Sequence, residues 1–516
     1  MWSHSGIAQS RGEVRRRYRG PAMTRQGPQE DADAHPPRAS GLPSPLLALM
    51  LVALILSVTW ALATPAFQAP DEQSHFAYAQ LLGERFELPG KPNRPIYSDE
   101  HAVAAASVNA DQVAGQPLTP PEWSETLEER WRHGTVRQAA DSGGGPHSAS
   151  SYPPLSYLWE SVGYRLFAGG EFFDKLFGAR LLSALWLPVT VLATWLLAGE
   201  LFGRRRPLQL AAAAVPALLP MPAFISGSVS PDGMLYAVWT LVLWLGVRTL
   251  RRGMPLGTTA AFCALVGIAC VVKSVSYALL PPALLVLAIG LWRRREEPLP
   301  RLAKVAAGAA GALALTLGVW ILVARGLDRT AAANVSAGVG AASGTDLRAL
   351  LSYVWQYYLP RLPFQDPSVA AAIGYPAYRV WIVLGWGAFG WLEVKFPELV
   401  YRLLAFFTAA VGIAAVVAIW RARRRIELAV LAFLALTTIA LLAGLHWSDY
   451  HVLAAGNRFM QGRYIFPLVG LMGCALAAAA LLLPERARGG AIGATLAGLF
   501  VFHLFSLGLV IERFYA

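Results

Sequence analysis

The chain has 516 residues, 55% of them hydrophobic and 15% charged, with a mean hydropathy of +0.44, a balance that excludes an ordinary water-soluble globule and points to lipid as the solvent. The formal charge of +12 would suit nucleic acid only as one continuous patch, and the arginines instead come in short blocks between apolar runs, so no nucleic-acid partner is expected. Cys263, Cys270 and Cys474 all fall inside apolar runs, so none is placed to staple a loop by a disulfide.

In chain order, residues 1–43 are polar, rich in proline and arginine and without hydrophobic periodicity, which predicts a disordered cytoplasmic tail. From residue 44 to 516 the chain reads as one transmembrane domain. A spanning helix needs about 20 mostly apolar residues. Windows of that kind run over 46–64, 179–202, 208–225, 234–250, 257–272, 276–292, 303–323, 399–420, 428–445, 465–483 and 491–511. The expectation is an all-α polytopic membrane protein with about eleven transmembrane helices.

The arginine blocks set the sidedness. Arg15 to Arg17, Arg204 to Arg206, Arg251 with Arg252, Arg293 to Arg295, Arg421 to Arg425, and Arg486 with Arg488 all fall on one side, which the positive-inside rule makes cytoplasmic. The N-terminus is then inside and Ala516 outside, provided that the Gly-rich stretch 373–391 is re-entrant or interfacial. Two long outer loops follow, 65–175 and 325–378, and loops of that length inside a bundle usually carry function or small folded elements. Helical stretches are expected at 71–83 and 121–132.

The candidate chemistry lies at the ends of the spans. After the first span, Pro70-Asp71-Glu72-Gln73-Ser74-His75 puts a proline and two acids at a helix start and stacks Asp71 and His75 on one face. The plain alternative is a helix cap with dipole-compensating acids, worth about 1 kcal/mol. Asp232, in Ser228-Val229-Ser230-Pro231-Asp232-Gly233, faces the same choice. Lys273 ends the fifth window, where snorkelling would explain a lone lysine. Asn457-Arg458-Phe459-Met460-Gln461-Gly462-Arg463-Tyr464 sets Arg458, Arg463 and Tyr464 on the outer side, against the charge bias. Arginine matches phosphate oxygens with paired donors, whereas an interfacial anchor belt is the rival reading. His446, Asp449 and His451 read as solvated loop residues rather than as metal ligands. Tyr152, in Ser151-Tyr152-Pro153-Pro154-Leu155-Ser156-Tyr157, and Glu393, in Phe389-Gly390-Trp391-Leu392-Glu393, add aromatics and an acid near the same surface.

Pro-Asp-Glu-x-x-His, Tyr-Pro-Pro-Leu-x-Tyr, Ser-x-Asp, Phe-Gly-Trp-Leu-x-x-x-x-Pro and Gln-Gly-Arg-Tyr, in that order from residue 46 onward, resemble the bacterial predicted membrane-protein family called domain of unknown function 2142. That family looks like the GT-C glycosyltransferases, multi-span enzymes that use polyprenyl-phosphate-linked sugars. The resemblance implies a GT-C-like bundle in the bacterial plasma membrane with its active site facing outside. It implies catalytic acids at Asp71, Glu72 and Asp232, with Asp71 as general base. Substrate would be held by His75, Tyr152, Lys273, Glu393, Arg458, Arg463 and Tyr464. The implied partners are a polyprenyl-phosphate-sugar donor, a glycan or lipid acceptor and membrane lipids, and a divalent cation such as Mg or Mn bridging Asp71, His75 and phosphate is one option. A carrier or flippase of lipid-linked saccharides and a non-catalytic polysaccharide-assembly partner are the other two readings of a many-span chain with charges at its span ends.

Overall fold

In a computed structural model the described residues are 42–110, 139–326, 345–368, 377–454 and 460–516, with scattered positions between 112 and 131. The expected tail up to residue 41, a smaller part of the first long loop with most of the stretch at 121–132, and about half of the second long loop lie outside them, as does Arg458.

Among the described residues, nine helices are long and apolar enough to cross a membrane. A bent pair, Arg206–Leu218 with Pro220–Ser226, and the shorter Leu256–Val272 complete the set. Together they account for every apolar window in the sequence. The chain is an all-α polytopic membrane protein, and the strand pairing among the described residues is one two-residue ladder between Ala388–Phe389 and Val394–Lys395. The stretch 377–391 makes no span. It holds a short π-helical segment, Tyr378–Leu384, followed by this hairpin.

Burial sorts the helices. The apolar window of Pro231–Arg251 is 83% buried, against 11% for Glu398–Ala422 and 17% for Leu299–Arg325, so the first is the core of the bundle and the others its rim. The rim helix exposes Leu399, Leu403, Phe406, Ile413 and Val416, as a lipid-facing surface requires. In the middle, small residues let backbones approach. A Cβ on Gly473 would stand 2.1 Å from Ala212 O, so only glycine brings Val469–Ala480 this close to Arg206–Leu218.

Breaks in the helices position the polar groups. Pro220 lacks an amide hydrogen and holds Leu219 extended, which bends the pair 206–226 by 57°. The bend delivers the turn before Asp232. Leu256–Val272 stops at Lys273, whose backbone is extended (φ −155°, ψ 136°) before a 3-10 segment Ser274–Leu279. A second 3-10 segment, Gly462–Leu468, carries Arg463. Irregular backbone is tolerated at membrane depth only where it is buried in protein or lines a polar cavity.

The first long loop has its own packing. Helices Glu72–Arg85, Asp99–Ser107 and Leu155–Leu166 fold over the start of Phe172–Ala184. Phe67, Phe76, Tyr164, Phe172 and Phe173 form an apolar cluster beneath them. In the second, helix Leu347–Tyr358 packs on Leu428–Ala454. That last helix runs nine residues past the apolar window 428–445, so His446, Asp449 and His451 belong to a helix. His446 and Asp449 are buried rather than solvated, a correction that arises because helix Leu347–Tyr358 covers them.

Candidate functional site

Four charges from distant parts of the chain meet at one end of the bundle. Arg463 Nη2 donates to Asp71 Oδ2 at 2.8 Å. Arg463 Nε lies 3.6 Å from Asp232 Oδ2, an ion pair too long for a hydrogen bond, and that buried N–H has no acceptor among the described residues. Lys273 Nζ donates to Asp232 Oδ1 at 2.6 Å. The order is thus Asp71, Arg463, Asp232, Lys273, acid and base in alternation.

Neither acid is a helix cap. Asp71 occupies the N-cap position of Glu72–Arg85 in a left-handed conformation (φ 62°), yet its side chain accepts no cap bond. At Pro231–Arg251 the cap is Ser230, whose hydroxyl accepts from Asp232 N at 3.3 Å, which leaves the Asp232 carboxylate for Lys273. A non-glycine residue at positive φ is uncommon and tends to mark a functional constraint.

Aromatic rings line the group. Lys273 Nζ lies over the rings of Tyr152 (5.5 Å) and Tyr464 (5.1 Å), and the Arg463 guanidinium lies 5.5 Å from Tyr464. These are cation–π distances. His75 stacks on Tyr152 at 6.0 Å, and its Nδ1 shares a hydrogen bond with Tyr157 Oη at 2.9 Å. Burial holds the His75 pKa down to about 3, so the ring is neutral at pH 7. Burial also pushes the Asp71 carboxyl up, but the Arg463 guanidinium, helped by Lys273, outweighs it and holds the group below the ordinary carboxylate range. Asp71 is the open member: its side chain is 36% exposed, whereas Arg463, Asp232 and Lys273 are at most 13% exposed.

Other expected site residues stand apart. Glu72 points away into the protein with 0% exposure, paired with Arg180, which donates from Nε at 2.7 Å and Nη2 at 2.5 Å. Arg180 also donates to the carbonyls of Ala61, Thr64 and Pro65. The amides of Phe67 and Val229 complete the Glu72 shell, so Glu72 is a structural anchor by its contacts. Glu393 sits in the hairpin turn over Gly390; burial raises its carboxyl to about 7, and its charged neighbours are Arg513 and Lys395 rather than the Asp71 group.

Two residues went unselected in the sequence. Arg180 is a charge inside an apolar window, a signal that was available. Glu160, fully buried, accepts from Ser183 Oγ (2.8 Å) and Ser230 N (2.9 Å) and so buttresses the turn that carries Asp232. Its surroundings suggest nothing in sequence beyond one acid on an amphipathic helix.

One oxygen of each acid is bonded to a cation of the chain itself, Asp71 Oδ2 to Arg463 and Asp232 Oδ1 to Lys273. Among the described residues no three His, Cys, Asp or Glu side chains cluster as metal ligands would. What the group fits is an anion that competes with the carboxylates for Arg463 and Lys273.

None of the curated protein sequences matches the chain. Solved structures similar to it include ArnT from Cupriavidus metallidurans bound to undecaprenyl phosphate, at 15% identity and a TM-score of 0.41, over 91% of this chain and 71% of that one. Another is the archaeal oligosaccharyltransferase AglB from Archaeoglobus fulgidus in complex with an inhibitory peptide and a dolichol-phosphate, at 13% identity and a TM-score of 0.46, over 91% of this chain and 56% of that one. The family of predicted membrane proteins described as DUF2142 matches residues 54–472, and the chain belongs to that family.

Proposed function

We propose that the Asp71, Arg463, Asp232 and Lys273 group is the catalytic centre of a membrane glycosyltransferase. It would move a sugar from a polyprenyl-phosphate donor to a hydroxyl of a cell-envelope glycan or glycolipid. The observation that carries the reading is the state of Asp71, a partly exposed carboxylate that makes no cap bond and is held ionised against a guanidinium. A hydroxyl nucleophile needs such a base and a departing phosphate needs such cations.

The donor phosphate takes oxygens to Arg463 and Lys273 and displaces Asp71 from Arg463. The freed carboxylate takes the acceptor hydroxyl proton as the acceptor oxygen bonds to the anomeric carbon. The bond from that carbon to the phosphate oxygen breaks, and polyprenyl phosphate leaves with the electron pair. Tyr152, Tyr464 and neutral His75 supply apolar faces and one polar edge beside the reacting sugar. The arginine blocks, such as Arg251 at the far end of the helix that Asp232 begins, are about 30 Å from the site by helix rise. By the positive-inside rule they lie in the cytoplasm and the site faces outside the plasma membrane.

The test is to incubate purified protein with a panel of polyprenyl-phosphate sugars and measure released polyprenyl phosphate. Asp71→Asn should lower turnover by about 10²- to 10⁴-fold. Wild-type turnover in Asp71→Asn would sink the assignment, and saccharide accumulation in proteoliposomes with no donor consumed would replace it with transport.

A further inference from the structure

We propose that Asp449, clamped by Tyr353, is a positioning residue for Arg463, an inference that rests on the catalytic reading above. Asp449 is 2% exposed on helix Leu428–Ala454. Its Oδ2 accepts from Tyr353 Oη at 2.5 Å, and its Oδ1 accepts from Met460 N at 3.0 Å. Met460 is three residues before Arg463. The carboxylate therefore joins helix Leu347–Tyr358 to the strand-like entry of the 3-10 segment that presents the guanidinium.

The donor inventory fixes the direction of the chain behind it. Tyr353 has one hydroxyl proton and Asp449 takes it, so His446 Nδ1, 3.2 Å from Tyr353 Oη, is the N–H donor. His446 Nε2 is then the acceptor, and it receives the Tyr358 hydroxyl at 2.7 Å. Tyr358 Oη in turn accepts from Trp381 Nε1 at 3.2 Å. Every bond runs toward Asp449, an arrangement in which each polarises the next.

Two further anchors hold the same few residues. A Cβ on Gly462 would stand 2.2 Å from Gly385 N, so the backbones are in direct contact there. Tyr236 Oη donates to Arg463 O at 3.4 Å. Among the described residues, Asp449 is the anchor of the segment 460–463 that also bonds to the helix within the second long loop. Moving a catalytic group by about 1 Å can cost about 100-fold in rate, which makes such a clamp consequential.

The experiment uses full-length protein in nanodiscs, with undecaprenyl phosphate as the binding probe and hydrogen exchange read by mass spectrometry. In Asp449→Ala the amides of 460–464 should exchange at least about tenfold faster while those of 231–251 are unchanged. Asp449→Ala should weaken undecaprenyl phosphate binding about tenfold in the wild-type background and have no effect in an Arg463→Lys background, because its action passes through that guanidinium. Asp449→Asn, which keeps an acceptor oxygen, should recover part of both losses. If Asp449→Ala does not fold, Tyr353→Phe carries both measurements with smaller changes in the same direction. Unchanged exchange at 460–464, or equal weakening in both backgrounds, would overturn the proposal. Wild-type protein that binds no undecaprenyl phosphate would remove the donor reading instead, and the exchange measurement then decides by itself whether Asp449 holds the segment.

Discussion

Asp71 and Glu72 are adjacent in the chain, both acidic and both paired with an arginine, yet the fold uses them in opposite ways. Glu72 and Arg180 are wholly buried and saturated: the carboxylate meets two guanidinium nitrogens and two backbone amides, and the guanidinium meets three carbonyls besides. Asp71 shares a single guanidinium nitrogen and stays partly open, and its partner Arg463 retains a buried N–H with no hydrogen-bond acceptor among the described residues. Saturation makes a joint. Incomplete pairing leaves capacity for a ligand, since an anion arriving at Arg463 displaces one bond, whereas the Arg180 guanidinium makes five.

The largest expected effect breaks the joint. Glu72→Ala leaves Arg180 buried without its counter-ion, and removing one partner of a buried pair costs about 3–5 kcal/mol. Fluorescence-detected gel filtration after heating should show Glu72→Ala aggregating well below the wild type. An unchanged melting midpoint would mean that the pair is not the anchor described.

Asp71→Asn should do the reverse, with turnover lost as set out above and stability changed by less than about 1 kcal/mol, because a pair open to solvent on one side is worth little. The pH dependence has a definite sign. The Asp71 pKa is lowered in the folded protein, so the pair's contribution is present above the unfolded carboxylate value of about 3.9 and is lost as pH falls through the folded value. Melting midpoints of wild type and Asp71→Asn should therefore stay parallel from about pH 5 to 8 and converge only below about pH 4.

Glu160 sharpens the contrast from a third side. Burial raises its carboxyl to about 8, so the folded state holds a proton that the unfolded chain gives up near pH 4.3. Stability from this group is full below that value and falls as pH rises toward about 8. Glu160→Gln should flatten the decline of the melting midpoint between those limits. An equally steep decline in Glu160→Gln would place the responsible proton elsewhere.

The smallest effect tests the strap over the joint. Trp391 Nε1 donates to Phe67 O at 3.0 Å, and Phe67 N donates to Glu72. Trp391→Phe keeps an aromatic, though smaller, ring and loses one hydrogen bond, about 1 kcal/mol. Its melting midpoint should fall slightly while Asp71-dependent turnover is kept.

Much of the architecture was legible in the residues. Spanning needs only local composition, so eleven apolar windows could be drawn without knowing any contact, and each corresponds to a helix, a bent pair or a short helix among the described residues. The arginine blocks predict one membrane face for Asp71, Asp232, Lys273 and Arg463, and these four side chains meet in the fold. The sequence did not separate Asp71 from Glu72, because a helix start offers both the same cap and dipole. Nor did it separate Asp449 from a solvated loop acid, because burial there depends on a helix about 100 residues earlier.

By itself, then, the sequence determined the solvent, the helices and which charges lie at helix ends, all of which follow from hydrophobicity and charge read over some 20 neighbouring residues. Tertiary structure alone decided which charges pair. Arg463 reaches Asp71 across 392 positions and Arg180 reaches Glu72 across 108. Choosing between those partners turns on differences of an ångström in how helices pack and break, which no local pattern encodes.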